Sequence, residues 1–489
     1  MSLVEPNRDT VRIRLTNRGG GIGRIVVNLN GKEVTADARG TSATGAESDL
    51  TVDLPIGGHP YLLPGKENEI EVRAFNRAGY LTSRGLRLAY NAPGNASNPP
   101  TLWALAVGVS DYEGSSIDLR YAAKDAADMA TALEIGAKRL FGIEKVDLQV
   151  LLSTTNGSSR RASKKNLEQA FAKIRAAGPQ DVVVVYLAGH GVAVADDYHF
   201  LTEEARSTNL EDPEVRRHSS ISSAELVDWL KQIPALKQVM ILDTCAAGKA
   251  ATNLVEKRNL PSSQVRAIER LTDRVGLHVL MGSAADAVSY EATQYQQGLL
   301  TYALLQGMKG PALREDAFID VSRIFEYAAD EVPRLAHNIG GIQRPVISAP
   351  LGQSFDVGQL TANDRIRIPL SESKRLLINP VLQNMTELYD SLALTERVRE
   401  RMREVSYSSV RVGNNRNTNS VYVNADAMPR AIKPSGVYRQ DGDAVVIEIV
   451  LVRDGEKLGR LEVRGDINQL EALATETVES ILLAVENLR

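Results

Sequence analysis

Apolar and polar positions fall into three regimes along the chain. From the N-terminus to about residue 90 they alternate. Val11-Arg12-Ile13-Arg14-Leu15 is one alternating run, Ile25-Val26-Val27-Asn28-Leu29 a second, and Asn68-Glu69-Ile70-Glu71-Val72-Arg73-Ala74 a third. Period-two alternation predicts strands with one buried face. The turns Asn30-Gly31-Lys32 and Pro64-Gly65-Lys66 punctuate them, so the pattern predicts a small all-β sandwich. Gly19-Gly20-Gly21-Ile22-Gly23 lacks the lysine and helix that follow a phosphate loop, and reads as a flexible turn. The stretch 91–100, rich in Asn, Pro and Gly, is a linker by composition.

From 101 to 358 continuous apolar runs replace alternation. Leu102-Trp103-Ala104-Leu105-Ala106-Val107-Gly108-Val109, Asp181-Val182-Val183-Val184-Val185-Tyr186-Leu187, Val239-Met240-Ile241-Leu242 and the shorter Val279-Leu280-Met281 are too hydrophobic for a sheet wetted on one side. Helical periodicity appears at Ala122 to Leu133, where Ala126, Met129, Ala130 and Leu133 share a face, and again at 165–176, 223–232 and 299–308. Buried strands alternating with helices predict a mainly parallel sheet covered on both faces.

The last regime mixes the two periods. Leu376-Leu377-Ile378 is strand-like, Met385 to Val405 reads as a charged amphipathic helix, and Leu470 to Leu488 as a closing helix. Val445 to Val452, the Asp454-Gly455 turn and Leu458 to Val463 read as a hairpin. The polar run 413–419 reads as an exposed loop. The expected organisation is therefore multidomain: an all-β sandwich with its linker over 1–97, a central α/β domain over 98–358, and a C-terminal α/β accessory domain over 359–489.

Composition acts mainly by exclusion. With 489 residues the chain exceeds one ordinary domain. Its net charge of −4, spread without long single-sign blocks, argues against a nucleic-acid or membrane-surface partner. One cysteine permits no intramolecular disulfide and no thiolate zinc site. No apolar run approaches the roughly 18–20 residues of a membrane span, and the first residues have no apolar core of a signal peptide. A cytoplasmic location is the expectation. The strand pattern begins so close to Met1 that a preceding domain in a longer protein is also compatible.

Two loops directly follow buried strands: Leu187-Ala188-Gly189-His190-Gly191 and Leu242-Asp243-Thr244-Cys245-Ala246-Ala247-Gly248. Ligands of open α/β sheets bind beyond the carboxyl ends of strands. The sole cysteine and a histidine would therefore meet on one sheet edge. A neighbouring imidazole can take the thiol proton, making the thiolate that attacks a carbonyl, and then protonate the leaving amine. Glycines beside His190 would let backbone N–H groups approach the carbonyl oxygen, with Gly191 and Cys245 as oxyanion donors. Singly, the cysteine reads as a small core residue and the histidine as structural. Their joint placement is what points to catalysis. His59, His199, His218, His278 and His337 lack such a setting.

At these residues the sequence resembles the caspase-like superfamily, especially bacterial metacaspase-like proteins, the orthocaspases. The resemblance runs in order through Ala104 to Val109, Leu119-Arg120-Tyr121-Ala122-Ala123-Lys124-Asp125-Ala126, Ala188-Gly189-His190-Gly191, Asp243-Thr244-Cys245, Gly298 to Leu305 and Gln343-Arg344-Pro345. The separation of the two candidates, 245 − 190 = 55 residues, is near the roughly 50 of caspase-type chains.

The resemblance implies a roughly six-stranded sheet, a Cys/His dyad without an obligatory third member, and cleavage after arginine or lysine. It implies that Asp125 and Asp243 line an acidic S1 site, where carboxylates would hold a guanidinium or ammonium. From the residues alone, Asp125 also reads as an acid in a helix's first turn, and Asp243 as a hydrogen bonder at a strand end. Relatives often carry serine where Ala247 stands. They are often cut in the loop after the cysteine, here most plausibly after Lys257 or Arg258. No cofactor is required. Calcium enters only through Asp196-Asp197, which read as a solvated turn. Residues 4–90 resemble immunoglobulin-like segments, and 375–489 more faintly resemble TolB-N or FlgO domains, both expected to bind a protein partner or restrain the peptidase. The expected substrates are proteins or peptides. The alternative is a catalytically silent caspase-like scaffold.

Overall fold

The computed structural model describes residues 1–6, 9–40, 47–95, 99–153, 161–194, 197–246, 277–282, 294–339, 343–350, 354–411 and 420–488. Within strands and helices, the backbone alone is described at 4–6, 193, 245, 246 and 406–411. The chain forms two compact units. One comprises 1–283, 303–330 and 344–370; the other comprises 284–302, 331–343 and 371–489.

The first unit begins with the expected alternating strands. Ser2–Pro6, Thr10–Thr16 and Asp49–Pro55 form one antiparallel sheet; Lys32–Thr35, Ile25–Leu29, Glu67–Ala74 and Leu86–Asn91 form another. Their inward residues, among them Ile13, Leu15, Ile25, Leu29, Ile70 and Val72, share one core. Asn30 and Gly31 both have positive φ (51° and 82°), which suits the two-residue hairpin turn they make. The glycine run is not a loose turn. A Cβ on Gly23 would sit 2.1 Å from the Asn76 carbonyl oxygen, and the Asn17 side chain accepts from the N–H groups of Gly19 and Gly21.

Among the described residues the central sheet of this unit has eight strands: β1 (Leu102–Gly108), β2 (Val146–Leu152), β3 (Val182–Val194), β4 (Asp197–Leu201), β5 (Ser220–Ser222), β6 (Lys237–Ala246), β7 (Leu277–Met281) and β8 (Val346–Ser348). Side by side run β2, β1, β3, β6, β7 and β8. All are parallel except β8, which pairs antiparallel to β7. This agrees with the expected six-stranded, mainly parallel sheet. The short β4–β5 pair extends the tip of β3.

Helices α1 (Ala122–Phe141), α2 (Lys164–Ile174) and α3 (Ser223–Lys231) follow β1, β2 and β5. Leu167, Phe171 and Ile174 of α2 and Leu226 and Leu230 of α3 pack with Val107, Val183, Val185 and Leu242 on one face. The other face receives α1. Gly108 allows that approach, since a Cβ there would lie 2.4 Å from the Ala122 carbonyl oxygen and 2.8 Å from Ala126 Cβ. Two-sided coverage explains why the strand sequences are apolar at every position.

The sandwich docks on the carboxyl end of α3. Tyr61 Oη donates to the Lys231 carbonyl (2.6 Å), Lys32 Nζ donates to the Ile233 carbonyl (2.9 Å), and Lys231 pairs with Glu33 at 3.4 Å. Leu236 packs against the sandwich core. The Lys231 carbonyl closes α3, and the Ile233 carbonyl, in the turn beyond it, also accepts from the Gln238 side chain. Lys32, read from sequence as a turn residue, is thus 2% exposed and lies 5.1 Å from the centre of the Tyr61 ring.

In the second unit Ile432–Asp441, Ala444–Arg453 and Glu456–Asp466 form an antiparallel meander. Ala474, Val478 and Ile481 of helix Leu470–Glu486, and Val398 and Met402 of helix Leu394–Arg411, share its core. The amphipathic helix starts nine residues later than the sequence pattern suggests. The Asn384 side chain accepts from the N–H groups of Thr386 and Glu387, and Asp390 accepts from those of Leu394 and Thr395, so 385–393 form turns instead. Leu388 and Ala393 have positive φ. The run 413–419, Asp196 and the loop holding Ala247, Lys257 and Arg258 lie outside the described residues. Among the described residues no helix is long and apolar enough to cross a membrane, which says nothing of membrane β-barrels.

Burial pushes the Lys32 ammonium down to about 7 from 10.5. A base with a depressed folded-state pKa stabilises the fold least where it must be protonated in the unfolded chain. Stability therefore rises with pH between about 7 and 10.5, and below about 7 this contribution is flat. In denaturant titrations wild type should gain about 2–3 kcal/mol from pH 7 to pH 9 relative to Lys32→Met; parallel pH dependences for the two proteins would contradict the burial.

Candidate active site

Three loops converge at the carboxyl edge of the parallel strands, where β1 and β3 mark the switch in strand order. The first runs from Val109 to Tyr121 after β1, the second is the tip of β3, and the third is the tip of β6. The β3–β6 ladder continues without a register shift from Val182↔Lys237 through Ala188↔Asp243 and His190↔Cys245 to Gly191↔Ala246. Neighbouring strands lie about 4.8 Å apart. The backbones of His190 and Cys245 are therefore directly opposed.

The imidazole of His190 is held firmly. Its Nε2 is 2.7 Å from the Ile117 carbonyl oxygen, which only accepts, so the proton resides on Nε2. Nδ1 is then the lone-pair nitrogen. It is buried and has no hydrogen-bond partner among the described residues. Burial is the main influence on this group and lowers its pKa, while the Ile117 hydrogen bond and the charge of Asp118 oppose that in part. The ring consequently favours its neutral form.

Both glycines beside His190 make room for tyrosines. A Cβ on Gly189 would meet Tyr112 Oη at 3.0 Å, and one on Gly191 would meet the Tyr198 ring at 2.6 Å and Thr244 Oγ1 at 3.0 Å. Tyr198 Oη donates to Thr244 Oγ1 at 2.8 Å, tying β4 to the residue before Cys245. The ladder extends through Gly191↔Ala246, so Gly191 and Cys245, whose N–H groups are the expected oxyanion donors, sit at the last steps of a paired edge.

The two aspartates reach the same face from different elements. Asp125 lies in the first turn of α1 and is 3% exposed. Asp243, on β6, is the register partner of Ala188, which in turn pairs with Gly108, the residue that faces α1. Tyr186 Oη donates to Asp243 Oδ2 at 3.1 Å. Both carboxylates thus belong to the α1 side of the sheet at its carboxyl edge. Of the acidic pair Asp196-Asp197, Asp197 accepts from Ser223 Oγ and Asp196 lies outside the described residues; among the described residues there is no group of three or more His, Cys, Asp or Glu side chains that could hold a metal ion.

Sequence reading missed Tyr112, Ile117 and Tyr186. Tyr112 and Ile117 lie in the loop after the first buried strand, and the rule that singled out the other two loops applies equally there. Tyr186 sits inside an apolar run and gives no signal apart from its hydroxyl.

The family model described as Caspase domain, of the peptidase C14 type, matches residues 101–356, which is 256 of 489 residues. No curated protein matches. Among solved structures, a family 39 glycoside hydrolase from the gut symbiont Bacteroides cellulosilyticus WH2 is 8% identical over 94% of this chain and 87% of that chain, with a TM-score of 0.17, which supports no argument about fold or activity.

Proposed function

The chain belongs to the caspase domain family of peptidases, and on that premise we propose that it is a cysteine endopeptidase cleaving after arginine or lysine. The observation that carries this reading is the His190↔Cys245 register at the tip of a parallel ladder. In the proposed reaction His190 Nδ1 takes the Cys245 thiol proton, and the thiolate attacks the peptide carbonyl. The imidazolium then gives that proton to the leaving amine, and water, activated by the same nitrogen, hydrolyses the thioester. Retention of the proton on Nε2 by the Ile117 carbonyl leaves Nδ1 as the exchanging site.

N–H groups of Gly191 and Cys245 would stabilise the tetrahedral oxyanion. Asp125 and Asp243 would bind the substrate cation, with the Tyr186 hydroxyl orienting Asp243. Carboxylates there repel an acidic side chain, so aspartate should be refused at this position. The same specificity makes Lys257 and Arg258, in the chain after Cys245, sites for self-cleavage.

Fluorogenic peptides carrying Arg, Lys or Asp before the scissile bond test the reading. Wild type should cleave the Arg and Lys peptides only, and Cys245→Ala should lose activity by at least about a thousandfold. Asp125→Ala should raise KM for Arg peptides by about tenfold or more, the loss of a charge-assisted pair. Equal cleavage by Cys245→Ala would exclude the thiol, and normal Arg cleavage by Asp125→Ala would remove that residue from the pocket.

The pH profile gives an independent check. Only the neutral imidazole can act as base, and burial lowers its pKa below the usual 6.5. The acid limb of kcat/KM should therefore have its midpoint below 6.5; a midpoint above it would contradict this assignment.

A further inference from the structure

We infer that Tyr112 is a positioning residue for His190, fixing the imidazole from the loop after β1. The inference rests on the dyad reading above and extends it to a residue outside the reacting pair. Tyr112 Oη accepts the main-chain N–H of His190 at 2.9 Å. Its ring lies against the imidazole, with centroids 5.3 Å apart and planes tilted by 33°. Its own N–H donates to Asp118 Oδ1 at 2.8 Å, and Asp118 directly follows Ile117, whose carbonyl holds His190 Nε2. One short loop thus grips His190 at its backbone, its ring face and its Nε2. Tyr112 is 7% exposed, so little water can replace the phenol oxygen. Gly189 leaves the space that the phenol occupies.

The consequence concerns geometry. Beyond Ala188 the β1 strand has ended, and the Tyr112 hydroxyl accepts the His190 N–H where a neighbouring strand's carbonyl would otherwise do so. A side chain therefore completes the sheet at the residue whose orientation matters most. Removing it leaves a buried donor unsatisfied and frees the tip of β3 to rotate.

The sole cysteine makes the test direct, because iodoacetamide alkylation of the intact chain reports on Cys245 alone. Rates would be measured across pH for wild type, Tyr112→Phe, Asp118→Ala and His190→Ala, with circular dichroism to verify folding. Peptide kinetics would follow for each. Tyr112→Phe should slow alkylation near neutral pH about tenfold, displace the pH profile, and lower kcat with KM little changed. Asp118→Ala leaves every group of Tyr112 in place but removes both its anchor and a charge that raises the His190 pKa, so it is read on the pH-independent plateau, where it should lower kcat, and there it carries the test if Tyr112→Phe does not fold. Folded variants with wild-type alkylation profiles and kcat, while His190→Ala is slow, would overturn the role of Tyr112 alone. Alkylation of His190→Ala at the wild-type rate would instead overturn the dyad.

Discussion

The parallel ladder between β3 and β6 is the constraint on which the rest depends. Ten register pairs join the strands without a bulge. A shift of one step would turn every side chain of the shifted strand to the other face of the sheet. Apolar residues on both faces, Val183 and Val185 toward α2 and α3, and Val184 and Tyr186 toward the other side, make such a slip costly. The register that sets His190 opposite Cys245 is thus enforced far from the two residues themselves, by the packing of the sheet's interior.

Other features serve to finish what the ladder begins. The loop after β1 supplies the Ile117 carbonyl and the Tyr112 hydroxyl. Its fold is fixed by Ser153, whose Oγ accepts from the N–H groups of Ser110 and Asp111, and by Ser110, whose Oγ accepts from Ala123 at the start of α1. The same turn into α1 sets Asp125 at the helix's first turn. The proposed base and one proposed specificity residue are therefore placed by a single short connection, while Asp243 and Cys245 share a strand. At the far end of α3 the sandwich meets the Lys231 carbonyl with Tyr61 and the Ile233 carbonyl, in the turn that follows, with Lys32, so the β domain and the α/β sheet are joined through polar contacts.

Much of this was legible from residues in order. The runs around Leu105, Val184 and Ile241 announced a sheet buried on both faces, and His190 and Cys245 drew notice because each directly follows such a run. The pattern could not supply strand neighbours, which are set by packing among segments distant in sequence. Nor could it separate Tyr112 and Tyr186 from ordinary core aromatics, since only the folded arrangement shows what their hydroxyls meet. Lys32 looked like a turn residue because no local pattern reveals a carbonyl on another segment that will receive its amine. The helix beginning at Leu394 was anticipated at Met385, since charge periodicity does not register the competition from Asn384 and Asp390 side chains for backbone N–H groups.

The register can be tested without any substrate. His190→Cys would give the chain a second thiol, opposite Cys245 on the neighbouring strand, within the Cα separation a disulfide tolerates. Mild oxidation of dilute monomer should yield an intramolecular bridge between positions 190 and 245, seen by peptide mapping. Two thiols that stay free, or join only between molecules, would contradict the placement of His190 against Cys245.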